Sequence, residues 1–217
     1  TSGVDPAAVS LPIVNGVRIN GPTPPMAPEV LARDEQGRVT LRATRITQPM
    51  RIDGRLDEPP YESVPPMSGF VQTDPRRGEP ATEQTEVWIL YDDQRIYVGA
   101  KCYDSAPEET WVANEMRRDN MNVVRNENFA IWFDTFYDRR NAFLFELSPI
   151  GGIYDAYVTN ERSPGNTDYN PVWQRQAGRF DKGWIAEMAI PFRALRYRPG
   201  ASQVWGVNIR RTVRWKN

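Results

Sequence analysis

The chain has 217 residues, 27 of them Lys or Arg and 28 Asp or Glu, for a formal net charge of −1. This balance gives no broad electrostatic pull toward nucleic acid or anionic lipid. Histidine is absent and Cys102 is alone, which excludes Ser-His-Asp and Cys-His catalysis, His-ligated zinc or haem, an internal disulfide and a thiolate metal cluster.

Residues 1–38 carry Pro6, Pro12, Pro22, Pro24, Pro25 and Pro28, with Gly16 and Gly21 between them. Proline fixes φ and removes a backbone donor, so this stretch reads as an extended arm or linker. A short piece such as Leu11–Ile19 is the part able to add a strand. The opening residues TSGVDPAAVS have neither the basic nor the apolar segment of a signal peptide, and the expectation is that one has been removed. Apolar runs such as Phe129–Phe133 fall far short of the roughly 20 residues of a spanning helix. The chain therefore predicts no membrane-spanning helix.

From Val39 onward the signal has period two, which is the signature of strands with one buried face. Val39–Ile46 alternates weakly. Thr85–Tyr91 and Arg95–Tyr103 flank the turn Asp92-Asp93-Gln94 and predict a hairpin with Ile96, Val98, Ala100 and Cys102 on one face. Cys102 thus reads as a small core residue. Phe129–Asp134 and Asn141–Ser148 follow, with Phe129, Ile131 and Phe133 on one face of the first and Phe143, Phe145 and Leu147 on one face of the second. Ile153–Val158, Trp173–Phe180, Trp184–Ile190 and Val204–Trp215 complete the set, and Asp181 and Gly183 mark a hairpin turn. Pro191–Tyr197 is the best helical candidate, with proline at its start. Many short strands and almost no helix predict an all-β fold, a β-sandwich over residues 39–217 behind the arm.

The informative residues are polar groups on the second face of these strands. Ala130, Trp132 and Asp134 share one such face, Leu144, Glu146 and Ser148 another, and Asn208, Arg210 and Thr212 a third. If these strands are neighbours, Trp132, Glu146 and Arg210 meet on one sheet surface. An aromatic plate suits the C–H face of a pyranose, Arg donates to hydroxyls and Glu accepts from them. The same three residues also describe an ordinary surface ion pair covered by a Trp, worth about 0–1 kcal/mol. Trp111 and Trp173, on loops, are further candidate plates. Asp104, Asp119 and Glu127, with Asp134 and Asp138, are candidate oxygen ligands for calcium, although no calcium-loop motif is present. Arg117–Asn120 reads either as a ligand loop or as a loop-anchoring ion pair. Glu127, Glu146, Asp155 and Glu187 lie on or near strands, but nothing in the sequence pairs two of them at a glycosidase separation. The expectation is a protein that is not an enzyme.

Several segments, in order, resemble family 9 carbohydrate-binding modules. They are Ile52–Glu58 (IDGRLDE), Thr85–Asp93 (TEVWILYDD), Arg95–Ala100, Tyr103-Asp104, Asn126–Asp134 (NENFAIWFD), Gly183–Phe192 (GWIAEMAIPF) and Trp205–Asn208. The likeness runs from about Thr44 to Arg214. Asp134–Phe143 (DTFYDRRNAF) and Arg118-Asp119 are similar to the amino-terminal module of large bacterial envelope proteins in which a β-rich, barrel-like outer-membrane region follows. The resemblance implies a β-sandwich of the wider group that includes DOMON-type sugar- and haem-binding domains. It implies a carbohydrate partner, calcium as a structural cofactor near Asp104, and a place in the periplasm or outside the cell. It also implies a role in a larger protein linked to carbohydrate catabolism, with the downstream barrel region as a further partner. Position by position, the family's sugar-contacting residues fall near Val124 (a Trp there), at Ala130 (a carboxylate), at Glu146 (an Arg) and at Arg210 (a Gln), and its second clamping Trp falls beyond Asn217. A sugar site here must therefore be rebuilt, around Trp132, Glu146 and Arg210 or around Trp111 and Trp173.

Three functions follow. The first is a non-catalytic carbohydrate-binding module. The second is a periplasmic interaction or gating domain of an outer-membrane barrel protein without a small-molecule ligand. The third is a haem domain, whose axial ligands would have to come from residues such as Met50, Met67, Met116, Met121 and Met188, since histidine is absent.

Overall fold

Alternating apolar side chains line two sheets that face each other across one core. The computed structural model describes residues 11–161 and 165–216; the first ten residues of the expected arm lie outside them. Two ribbons come first, β1 (Ile13–Val14) with β2 (Val17–Arg18), and β3 (Leu31–Arg33) with β4 (Val39–Leu41). β5 (Thr44–Arg45) and a single helical turn, α1 (Pro59–Ser63), follow. The sandwich strands are β6 (Thr85–Tyr91), β7 (Arg95–Tyr103), β8 (Asn128–Asp134), β9 (Ala142–Leu147), β10 (Ile153–Val158), β11 (Gln174–Phe180), β12 (Gly183–Pro191) and β13 (Gly206–Thr212). A short helix, α2 (Met121–Arg125), precedes β8.

One sheet has the order β11-β12-β7-β6-β5 and the other β10-β9-β8-β13. All pairings are antiparallel except β5 with β6. This is the all-β sandwich that the alternation predicts. Ile96, Val98, Ala100 and Cys102 of β7 and Trp184, Ala186, Met188 and Ile190 of β12 face Phe129, Ile131, Phe133, Phe143, Phe145 and Leu147 of the opposite sheet. Each Val, Ile, Leu, Phe or Met side chain among them contributes about 1.5–3 kcal/mol on full burial. Cys102 has no exposed surface, and burial pushes its thiol up to about 12, so it is a packing residue.

The larger sheet is buried on its outer face too. Met50, Leu56 and Tyr61 cover Trp88, Leu90, Tyr97, Ile185 and Ala189 there. This cover depends on the IDGRLDE loop, whose Asp53 and Gly54 N–H groups both donate to Glu187 Oε2 at 2.9 Å. Gly54 has φ +82°, and its carbonyl lies directly against Gly178 of β11. Any Cβ at Gly178 would collide with that backbone oxygen. Gly178→Ala should therefore cost about 1–3 kcal/mol, read as a lowered thermal midpoint; an unchanged midpoint would mean that the loop does not pack on β11.

The β3–β4 ribbon spans residue 38: Leu31 pairs with Leu41, and Val30 belongs to the main core. One expectation needs correction. The helix expected over Pro191–Tyr197 is a single 3-10 turn, Phe192–Ala194. Leu195 is drawn into the core in an extended conformation, and that ends the turn. Of the methionines weighed as haem ligands, Met50 lies under the outer cover of the larger sheet, Met67 and Met188 are in the main core, and Met116 and Met121 are exposed. They do not form one site.

Candidate functional site

The outer face of the smaller sheet gathers the three polar candidates. In register, Ala130 of β8 stands opposite Glu146 of β9 on one side and opposite Arg210 of β13 on the other. Side chains in one row of a pleated sheet point the same way. Alanine leaves the middle of the row empty, so Arg210 reaches across it and places its guanidinium Nη2 3.1 Å from Glu146 Oε1. Trp132 lies two residues along β8 on the same face, and the Arg210 guanidinium sits 5.1 Å from its ring centroid, within cation–π range. The adjacency that the strand parity predicts is present.

The three residues differ in access. Arg210 keeps 39% of its side chain exposed, whereas Glu146 has none, and Trp132 is half-buried. Burial pushes the Glu146 carboxyl up to about 7, against the pull of Arg210. Among the described residues, Glu146 Oε2 and Arg210 Nε have no hydrogen-bond partner. Glu146 cannot meet a surface ligand directly. It positions Arg210, whose outward N–H groups and Trp132 neighbour form the accessible surface.

α2 packs over part of this same face. Asn120 caps that helix by accepting from the Asn122 N–H at 2.9 Å, and Val123 packs on Ala130, Leu144, Tyr154 and Ala156, with Val124 at the rim. Ala130, Glu146 and Arg210 thus share one sheet face, and Val124 sits on the helix packed against it.

The remaining candidates lie elsewhere. Trp173 is in the core, packed edge-on against Phe145 with centroids 5.3 Å apart, and its N–H donates to Asp155 Oδ2 at 3.2 Å. At 4% exposure its ring offers no plate. Trp111 is half-buried, with the Arg179 guanidinium 5.3 Å from its ring centroid and its indole N–H on the Ala106 carbonyl. Asp119 accepts the Asp155 N–H beside β10, at the opposite edge of the sheet from Asp104 and Glu127, which meet β13 and the residues after it. Among the described residues, no three carboxylates converge as a metal-ligating group. Arg118 donates to both oxygens of Asp155 at 2.8 Å and to the Pro171 carbonyl at 3.0 Å, so the Arg117–Asn120 stretch anchors loops.

The four carboxylates weighed for catalysis are all fully buried, each with its own partners. Glu146 holds Arg210, Asp155 holds Arg118 and Trp173, Glu187 receives the Asp53 and Gly54 N–H groups, and Glu127 receives those of Arg214 and Trp215. Sequence reading placed Ala130 on this face but missed its role, as the small residue that lets the ion pair span a strand. Its signal was a short side chain between Phe129 and Ile131, large apolar residues of a strand.

No protein-family model matches the chain, and no curated protein is similar to it. Solved structures do share the fold. Two are a family 9 carbohydrate-binding module from Caldicellulosiruptor kristjanssonii, in complex with cellotriose (TM-score 0.51, 14% identity, 77% of this chain and 73% of that one) and with glucose (0.53, 15%, 76% and 76%). A third is a candidate carbohydrate-binding protein from Bacteroides uniformis (0.54, 14% identity, 80% of this chain and 83% of that one). What the chain shares with these structures is their fold, an all-β sandwich.

Proposed function

We propose that the chain is a non-catalytic carbohydrate-binding module whose site is the outer face of the smaller sheet. The observation that carries this reading is the Trp132–Arg210–Glu146 cluster, on the same face as the positions where the family pattern places its sugar contacts. Trp132 offers an apolar surface to the C–H face of a terminal sugar, and Arg210 donates to its hydroxyls in a fixed fork. Glu146 holds that fork in place from below. Trp111, packed against the inter-sheet core with its ring shared with Arg179 of the larger sheet, takes no part in this site.

Tryptophan fluorescence titrated with glucose and cello-oligosaccharides tests the reading. Arg210→Ala and Trp132→Ala should each weaken binding about tenfold or more, corresponding to the loss of one charge-assisted hydrogen bond or one stacking surface. Glu146→Gln should weaken it less. An unchanged spectrum at tens of millimolar sugar would leave docking to a downstream envelope region as the better account. The periplasmic or extracellular location carried by the resemblance is part of this proposal, and fractionation of cells making the full-length protein tests it.

A further inference from the structure

Where the sheets meet beside the end of β7, oxygen atoms converge on a buried positive charge. Arg211 of β13 points into the sandwich, with 6% of its side chain exposed. Its Nη2 donates to Asp104 Oδ2 at 2.9 Å, and its Nη1 donates to the carbonyls of Gln84, at 3.1 Å, and Tyr103. The other Asp104 oxygen accepts the Trp215 indole N–H at 2.9 Å and the Ala106 N–H at 3.1 Å. Glu127, entering β8, accepts the Arg214 and Trp215 backbone N–H groups on Oε1, while its buried Oε2 has no partner.

Carboxylates and main-chain carbonyls of this kind are what calcium takes as ligands. With Arg211 present they do not fit the ion. Both Asp104 oxygens are taken by N–H donors, one of them cationic, and Asp119 is at the other edge of the sheet. We infer that Arg211 is the resident cation of this fold, a guanidinium that ties β13 to the β6–β7 hairpin in place of a structural metal ion. The charge needed to hold Asp104 inside the protein is built into the chain. Because it is anchored on one sheet and bonded to the other, it also joins the two layers. The domain then needs no calcium for its stability.

Thermal melting in chelator and in millimolar calcium tests this, independently of whether any sugar binds. The wild-type midpoint should be the same in both. Arg211→Ser should melt roughly 10 °C lower in chelator, the effect of stranding a buried carboxylate in a domain of this size. It should regain part of that loss in calcium, since Asp104, Glu127 and the two carbonyls then face the emptied position. Should Arg211→Ser fail to fold, Arg211→Lys, which keeps the charge without the fork, should fold and melt below the wild type. A wild-type midpoint that moves with calcium overturns the inference. So does an Arg211→Ser protein that melts like the wild type, or one whose loss calcium leaves untouched.

Discussion

Phe145→Ala should destabilise the domain by about 3–5 kcal/mol, the range for deleting a large aromatic side chain from a packed core. Phe145 sits mid-strand in β9 with no exposed surface. It makes edge-on contacts with Trp173, Phe133 and Tyr169, at centroid separations of 5.3, 6.5 and 6.4 Å. Each edge-on pair adds about 0.5–1.5 kcal/mol beyond area burial. The neighbours cannot close the void easily, because Trp173 is tethered to Asp155 and the Tyr169 hydroxyl to the Ala194 carbonyl. Urea unfolding should show a lower midpoint with an unchanged slope. A loss below about 1 kcal/mol would mean that the ring does not bridge the layers as described.

Stability should fall as pH rises from 5 to 8. Burial holds Glu127, Glu146 and Glu187 at about 7, above the ordinary 4.5, and raises Asp155 in the same direction. Between those values the folded protein keeps protons that the unfolded chain releases, so each group's contribution is complete below the unfolded pKa and lost as pH passes the folded one. The opposite carboxylates, Glu115 at about 2 and the lowered Asp34, Glu83, Asp92 and Asp138, lose stabilisation only as pH drops below the ordinary carboxylate range. The optimum therefore lies near pH 5. Each raised group contributes at most about 2–3 kcal/mol across the window, and together they should lower the melting temperature by at least roughly 10 °C. Glu187→Gln keeps an acceptor for the Asp53 and Gly54 N–H groups and should flatten the profile. A midpoint that is level or climbs over this interval would show that these carboxylates are ionised in the folded protein.

The strands were legible because burial on one face writes itself into every second residue. Phe129, Ile131 and Phe133 alternate with Ala130 and Trp132, and both sets occupy the faces that parity assigns. The hairpin at Asp92–Gln94 was legible because a polar turn separates two such runs. Trp173 was misjudged because its burial comes from Phe145 and Asp155, distant in sequence. Asp104 and Glu127 looked like free ligands because the groups that occupy them, Arg211 and the Trp215 turn, lie about 90–110 positions further along the chain. In the same way α2 escaped notice, since its five residues are too few for a helical period to show.

The amino-acid order alone determined the all-β class, the two faces of each central strand and the parity that lets Trp132, Glu146 and Arg210 share a surface. Those properties are local, set by the pleat and by side chains two apart. Tertiary structure decided that β13 lies beside β8, that Ala130 opens the path from Arg210 to Glu146, and that Arg211 rather than a free carboxylate cluster occupies the junction of the sheets. Strand order and burial depend on pairings between segments far apart in the chain, and a period of two is the same whichever strand lies alongside.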